Sequence, residues 1–157
     1  MRAFLLTVNC YLLAAVPNWL YLAVNLAYHL GLALWIGGSV VLGALVAPAL
    51  FKALPKEQAG AIFGPTLRRF SRLRIFAVVL IIAGAAAKYL RWERHASNPW
   101  LAIRWAAIAF LAAVVVYEVR YLEPALDRRI NFAKLHHRAE VLMKTALVVA
   151  IVALFLS

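Results

Sequence analysis

The chain has 157 residues, 66% of them hydrophobic and 15% charged, with a formal net charge of +11. Soluble domains run nearer half apolar and a quarter charged, so this composition excludes a water-soluble globular protein and points to an integral membrane protein with little mass outside the bilayer. A single cysteine, Cys10, excludes an internal disulfide and a CxxC motif, and the positive charges fall between apolar runs, which assigns them to loops and lipid headgroups rather than to nucleic acid.

Residues 1–18 carry one arginine and then an apolar run too short to cross a bilayer. The run is similar to a secretory signal, but it leads straight into the next apolar stretch. The expectation is a retained interfacial or re-entrant helix. Span one covers about residues 19–51. Between Asn25 and Phe51 its one ionisable side chain is His29, and glycine recurs at Gly31, Gly37, Gly38 and Gly43. In lipid, small residues let a neighbouring backbone come close. Asn25, His29, Ala33 and Gly37 share one face at four-residue spacing, and that face is expected to meet protein.

Residues Pro55 to Phe63 read as a short surface helix, broken by Gly64-Pro65. Span two covers about residues 66–92, and Arg68, Arg69, Arg72 and Arg74 are expected to snorkel to lipid headgroups. Its small face is Ala77, Ile81, Gly84 and Lys88. Span three covers about residues 100–121 and is expected to end at Glu123-Pro124. After a link carrying Arg128 and Arg129, span four covers about residues 135–156. The fold class is therefore all-α integral membrane, an antiparallel four-transmembrane-helix bundle with a short extra N-terminal helix. The bends after spans one and three hold most of the lysines and arginines. They are expected in the cytoplasm of a bacterium, with both termini on the far side of its inner membrane. Trp19, Trp92, Trp100 and Trp105 then form an aromatic belt at that far side.

Ionisable side chains within spans cost about 2.5–3.5 kcal/mol each on insertion scales, so they are paired, wet or functional. One cluster is Asn25, His29 and Lys88, with Glu93, His95 and Arg104 nearby. Here His29 is a candidate ligand for a tetrapyrrole or a metal through a neutral imidazole nitrogen. The alternative is that His29 bonds a neighbouring helix and Lys88 snorkels outward. A second cluster is Glu118, His136, Glu140 and Lys144, with the last three at i, i+4, i+8. It reads either as an ion-pair network packing spans three and four or as a proton relay or cation half-site. His29 and His136 lie toward opposite membrane surfaces, roughly 20 Å or more apart by helix rise, which argues against one haem held between them. GxSxG, HExxH and Walker motifs are absent.

The pattern His29-x5-Trp35-x-Gly37-Gly38, then Ala47-Pro48-x-Leu50-Phe51, then Ala59-Gly60 resembles the domain-of-unknown-function 4149 family of small membrane proteins, as does Tyr121-Leu122-Glu123-Pro124 followed by Leu135-His136. That resemblance covers about residues 20–156. It implies four spans, no established reaction, and kinship in pattern with eukaryotic transmembrane proteins associated with platinum-drug resistance. The first motif is also similar to J-type haem-linked protoporphyrinogen oxidases and copper-resistance D proteins. In the J-type oxidases a first-span histidine and a lysine late in the second matter, and His29 and Lys88 fall at those places.

Three functions follow from these readings. The first is a non-catalytic accessory or structural subunit packing within a larger membrane assembly, with lipids, other subunits or further copies of itself as partners. The second is a tetrapyrrole- or metal-binding protein using His29, Asn25 and Lys88. The third is a small carrier for a cation or amphiphile.

Overall fold

A computed structural model describes residues 18–94, 98–127 and 132–157. The expected N-terminal helix and the arginines Arg128 and Arg129 lie outside the described residues. Among the described residues the structure is helical throughout, with no strand. Helix α1 is Trp19–Ala53, α2 is Lys56–Glu93, α3 is Pro99–Ala125, and α4 is Phe132–Phe155. The first three have the length and composition of membrane spans, each holding an 18-residue stretch whose mean hydropathy is 2.1, 1.9 and 2.0 in turn. They make this chain a membrane protein.

The boundaries have local causes. Leu54, the residue before Pro55, is extended at φ −128° and ψ 154°, as a pre-proline residue prefers, and this ends α1. Asn98 caps α3: its side chain accepts a hydrogen bond from the Trp100 N–H at 3.0 Å, with Pro99 in the first turn.

Two expected breaks are not breaks. Helix α2 runs unbroken through Gly64-Pro65, so the surface helix and span two are one element. Pro65 and Ala61 are exposed, so the carbonyl that loses its partner can reach solvent, and the Thr66 hydroxyl donates to the next carbonyl, Ile62 O, at 3.0 Å. Helix α3 likewise continues past Glu123-Pro124 to Ala125. Here the chain first widens into a π-helical segment, Glu118–Leu122, and Pro124 falls in the first turn of the α-helix that resumes after it. Helix α1 repeats the device, with a π segment at Val41–Val46 and Pro48 in the first turn beyond it. A proline ring clashes with the carbonyl four residues back, and a π turn moves that carbonyl out of the way.

Helix α1 lies closely along α2, while α4 packs against α1 and α3. The buried face of α1 is Tyr28, Leu32, Trp35, Ser39 and Leu42, a 4-3-4-3 spacing, together with Gly31. The expected Asn25–His29–Ala33–Gly37 face is corrected by this: Asn25 and His29 are half-buried, Ala33 and Gly37 exposed. Shape decides the matter, because lipid is as apolar as any core and helices associate through close fit. Of the small face expected on α2, Ala77, Ile81 and Gly84 are buried and Lys88 is half-buried, and Tyr28 of α1 packs directly on Gly84. Glycines admit such contacts. A Cβ on Gly84 would stand 2.9 Å from the Tyr28 backbone nitrogen, one on Gly31 would stand 2.6 Å from the Ala77 carbonyl, and one on Gly38 would overlap the Phe70 ring. From α4 the core receives Ala146, Ala150 and Ala153, and the Tyr28 hydroxyl donates to the Ala153 carbonyl at 3.0 Å.

Gly84→Val should therefore lower the thermal midpoint in detergent sharply, at a cost of about 1–3 kcal/mol or more for overpacking. Gly37→Val, whose new side chain would enter open space, should leave the midpoint nearly unchanged. Circular dichroism melts of the two variants check this.

Candidate functional site

Helices α2 and α3 exchange charges in reciprocal fashion. Near the start of the shared stretch, Arg74 of α2 meets Glu118 of α3, with Nη1 at 3.0 Å from Oε1 and 2.9 Å from Oε2. Arg74 Nη2 donates to the Ser71 hydroxyl at 3.2 Å. The guanidinium also lies 5.7 Å from the Trp35 ring centre and 5.0 Å from that of Phe70. Both charged residues are inside the protein, Arg74 3% and Glu118 5% exposed. Two carboxylate contacts, a hydroxyl and two aromatic faces replace the water this guanidinium has lost. Arg74 Nε, Ser39 Oγ and Glu123 Oε1 are buried and make no hydrogen bond. Glu123 follows Glu118 by one π turn, its backbone N–H donating to the Glu118 carbonyl.

At the other end the roles reverse. Arg104 of α3, 4% exposed, holds Glu93 at the end of α2 with both terminal nitrogens, Nη1 to Oε1 at 3.0 Å and Nη2 to Oε2. Lys88 Nζ stands 3.9 Å from the same carboxylate. Glu93 also lies in a π segment, Tyr89–Glu93. By helix rise the two pairs are about 28 Å apart along α2 and about 21 Å along α3, close to the roughly 30 Å of a bilayer's hydrocarbon layer. Between them lies the apolar core of Ile81, Ala85, Ala107, Ile108, Leu111 and Val114.

The structure distributes the residues singled out from the sequence in its own way. His29 has both ring nitrogens engaged: Nδ1 donates to the Asn25 carbonyl at 2.7 Å and Nε2 is 3.0 Å from the Ser157 hydroxyl. The Asn25 side chain turns to the Tyr21 carbonyl at 2.9 Å, and Lys88 turns to Glu93. In this arrangement His29 offers no free nitrogen to a tetrapyrrole. Among the described residues, no three His, Cys, Asp or Glu side chains come together to hold a metal. The second expected cluster divides. Glu140 and Lys144 pair on the outside of α4 at 2.6 Å and His136 is exposed, whereas Glu118 belongs to Arg74. Arg68, Arg69 and Arg72 are exposed, but Arg74, expected at the headgroups with them, is buried between helices. Sequence reasoning missed Arg74, Ser39, Ser71 and Glu123 as interior groups. The signal was available for Arg74, which lies three residues before Ala77 on the same face of α2.

Three apolar helices stapled by interior ion pairs define a helical membrane protein. The chain belongs to the family described as domain of unknown function DUF4149, whose pattern matches residues 30–131. That range takes in Trp35, Pro48, Arg74, Arg104, Glu118 and Glu123, and leaves out His29 and Leu135-His136, which the resemblance read from the sequence had included. No curated protein and no solved structure matches the chain.

Removing one partner of a buried pair leaves the other uncompensated, at a cost of about 3–5 kcal/mol, while replacing both by apolar residues costs far less. Arg74→Leu and Glu118→Leu should each destabilise strongly, and the double variant should recover most of the loss. Unfolding of all four species in detergent, read as a double-mutant cycle, measures the coupling.

Proposed function

We propose that this chain is a non-catalytic membrane component that packs within a larger membrane assembly, with α4 as its fourth span and the arginine-rich bends in the cytoplasm. One observation carries the reading. Lys144 is 73% exposed, with its partner Glu140 beside it on the outside of α4. If α4 enters the bilayer near Leu135, Lys144 lies about 13 Å along it, in the middle of the hydrocarbon layer. Charged side chains at that depth face protein or water rather than lipid, so a polar partner surface belongs against this face of α4. A second surface supports it. Gly37 and Gly43 of α1 are exposed with open space where a side chain would be, although Gly31 and Gly38 of the same helix are filled from within. Small residues turned outward suit the close approach of another helix. The two interior ion pairs are engaged in holding α2 to α3, which fits a packing role better than turnover.

In a mild detergent the chain should run as a larger species than its 17.4 kDa monomer. Gly37→Leu, and separately Lys144→Leu, should reduce it to monomer while leaving the thermal midpoint of the chain itself intact. Native mass spectrometry reads both. A monodisperse monomer, insensitive to both changes and made more stable by Lys144→Leu, would mean that these faces meet lipid, and the proposal would fall.

A further inference from the structure

The outer side of α4 carries a pattern of its own. Ala146, Ala150 and Ala153 face the core, and at about 100° per residue the opposite side holds Val141, Lys144, Val148, Ile151 and Phe155. All five are exposed. Their 3-4-3-4 spacing is the repeat by which one helix lays a continuous seam against another. Lys144 is the one charged member among bulky apolar side chains. Lipid accepts apolar side chains in any order and gains nothing from a lysine among them. In a seam between helices a single lysine has a use: it fixes the register and the number of strands, at a cost in stability.

The charges name the partner. Glu140 lies beside the seam one turn before Lys144, and the two bond to each other at 2.6 Å. The patch is therefore neutral as a whole but divided, negative toward the start of α4 and positive one turn on. Two copies inserted in the membrane the same way are related by a two-fold axis along the bilayer normal, which sets one α4 parallel to the other. In that arrangement each Glu140 is offset from the other copy's Lys144 by one turn, about 5.4 Å of rise, within reach of two long side chains. Each Lys144 then meets two carboxylates in place of one, and the four charges close on themselves with no group from a third protein. Gly37 of α1 is level with this patch. From the Tyr28–Ala153 hydrogen bond, Gly37 and Lys144 both lie nine residues, about 13 Å, toward the same membrane surface. We propose that α4 pairs in parallel with α4 of a second copy of this chain, Glu140 and Lys144 exchanging partners across the two-fold axis, an inference that rests on α4 crossing the bilayer as the fourth span.

Native mass spectrometry of the whole chain in mild detergent reads the pairing, and circular dichroism melts verify that each variant is folded. The wild-type chain should be a dimer. Glu140→Lys leaves two lysines on the patch and Lys144→Glu leaves two glutamates, and each variant alone should lose dimer about tenfold through like-charge contact. Mixed in equal amounts, the two should recover it as a heterodimer with one copy of each. A second measurement keeps both charges. On a Cys10→Ser background, Val148→Cys should form a disulfide between copies under mild oxidation, and Val79→Cys on the exposed side of α2 should not. Charge variants that stay dimeric, a mixture that stays monomeric, or cross-linking through Val79→Cys in place of Val148→Cys overturns the proposal. A wild-type chain that is monomeric alone, yet leaves native membranes in a stoichiometric complex with a different protein that Lys144→Leu breaks, overturns the second copy as partner and keeps the larger assembly. A chain monomeric in both preparations overturns both.

Discussion

The structure depends on a two-way trade between α2 and α3, in which each helix gives the other one arginine and one glutamate. Arg74 reaches Glu118 and Arg104 reaches Glu93, and both arginines are almost wholly inside the protein. A single buried pair could be satisfied by more than one axial offset of two antiparallel helices. Two pairs with donor and acceptor exchanged, set most of a bilayer thickness apart, cannot. A slip in either direction lengthens one of the two, so the register of α2 against α3 is fixed from both ends. The apolar residues between can then be smooth and small without loss of definition.

The rest of the core fits this frame. Trp35 and Phe70 lie beside the Arg74 guanidinium, which ties α1 into the same pair. Gly31, Gly38 and Gly84 bring α1 close enough to α2 for that contact to exist. Helix α4 is held differently, through an alanine face and the bond from the Tyr28 hydroxyl to the Ala153 carbonyl. Its outer side keeps Glu140 and Lys144 exposed, and this asymmetry sets α4 apart from the first three helices.

Reading residues in order found the three long apolar helices and, on α2, the small face at Ala77, Ile81 and Gly84, because length and spacing carry that information directly. It misplaced the inner face of α1. A stripe of polar and small residues predicts the inside, yet Tyr28, Leu32 and Trp35 are buried while Ala33 and Gly37 are not. In lipid, hydropathy does not separate inside from outside, and only the fit of volumes does. Arg74 was misread for a related reason. It stands in a run with Arg68, Arg69 and Arg72, and composition treats the four alike, but the helical turn points one of them inward. Sequence spacing pairs Glu140 with Lys144, as the structure has them, but it also groups Glu118 with that cluster. The actual partner of Glu118 lies forty-four residues earlier, a separation no local pattern reports.

The wide turns before Pro48 and Pro124 bear on how the chain can change length. A π turn is an α-helix with one residue added, and it leaves the faces on either side in phase. Deleting one residue from Glu118–Leu122 would keep Arg104 and Leu122 facing inward, but it would return a carbonyl to the path of the Pro124 ring. Replacing Pro124 alone would leave a surplus residue with no reason to bulge. At these two places the added residue and the ring behind it form a matched set, so a change to one alters the fit of the other.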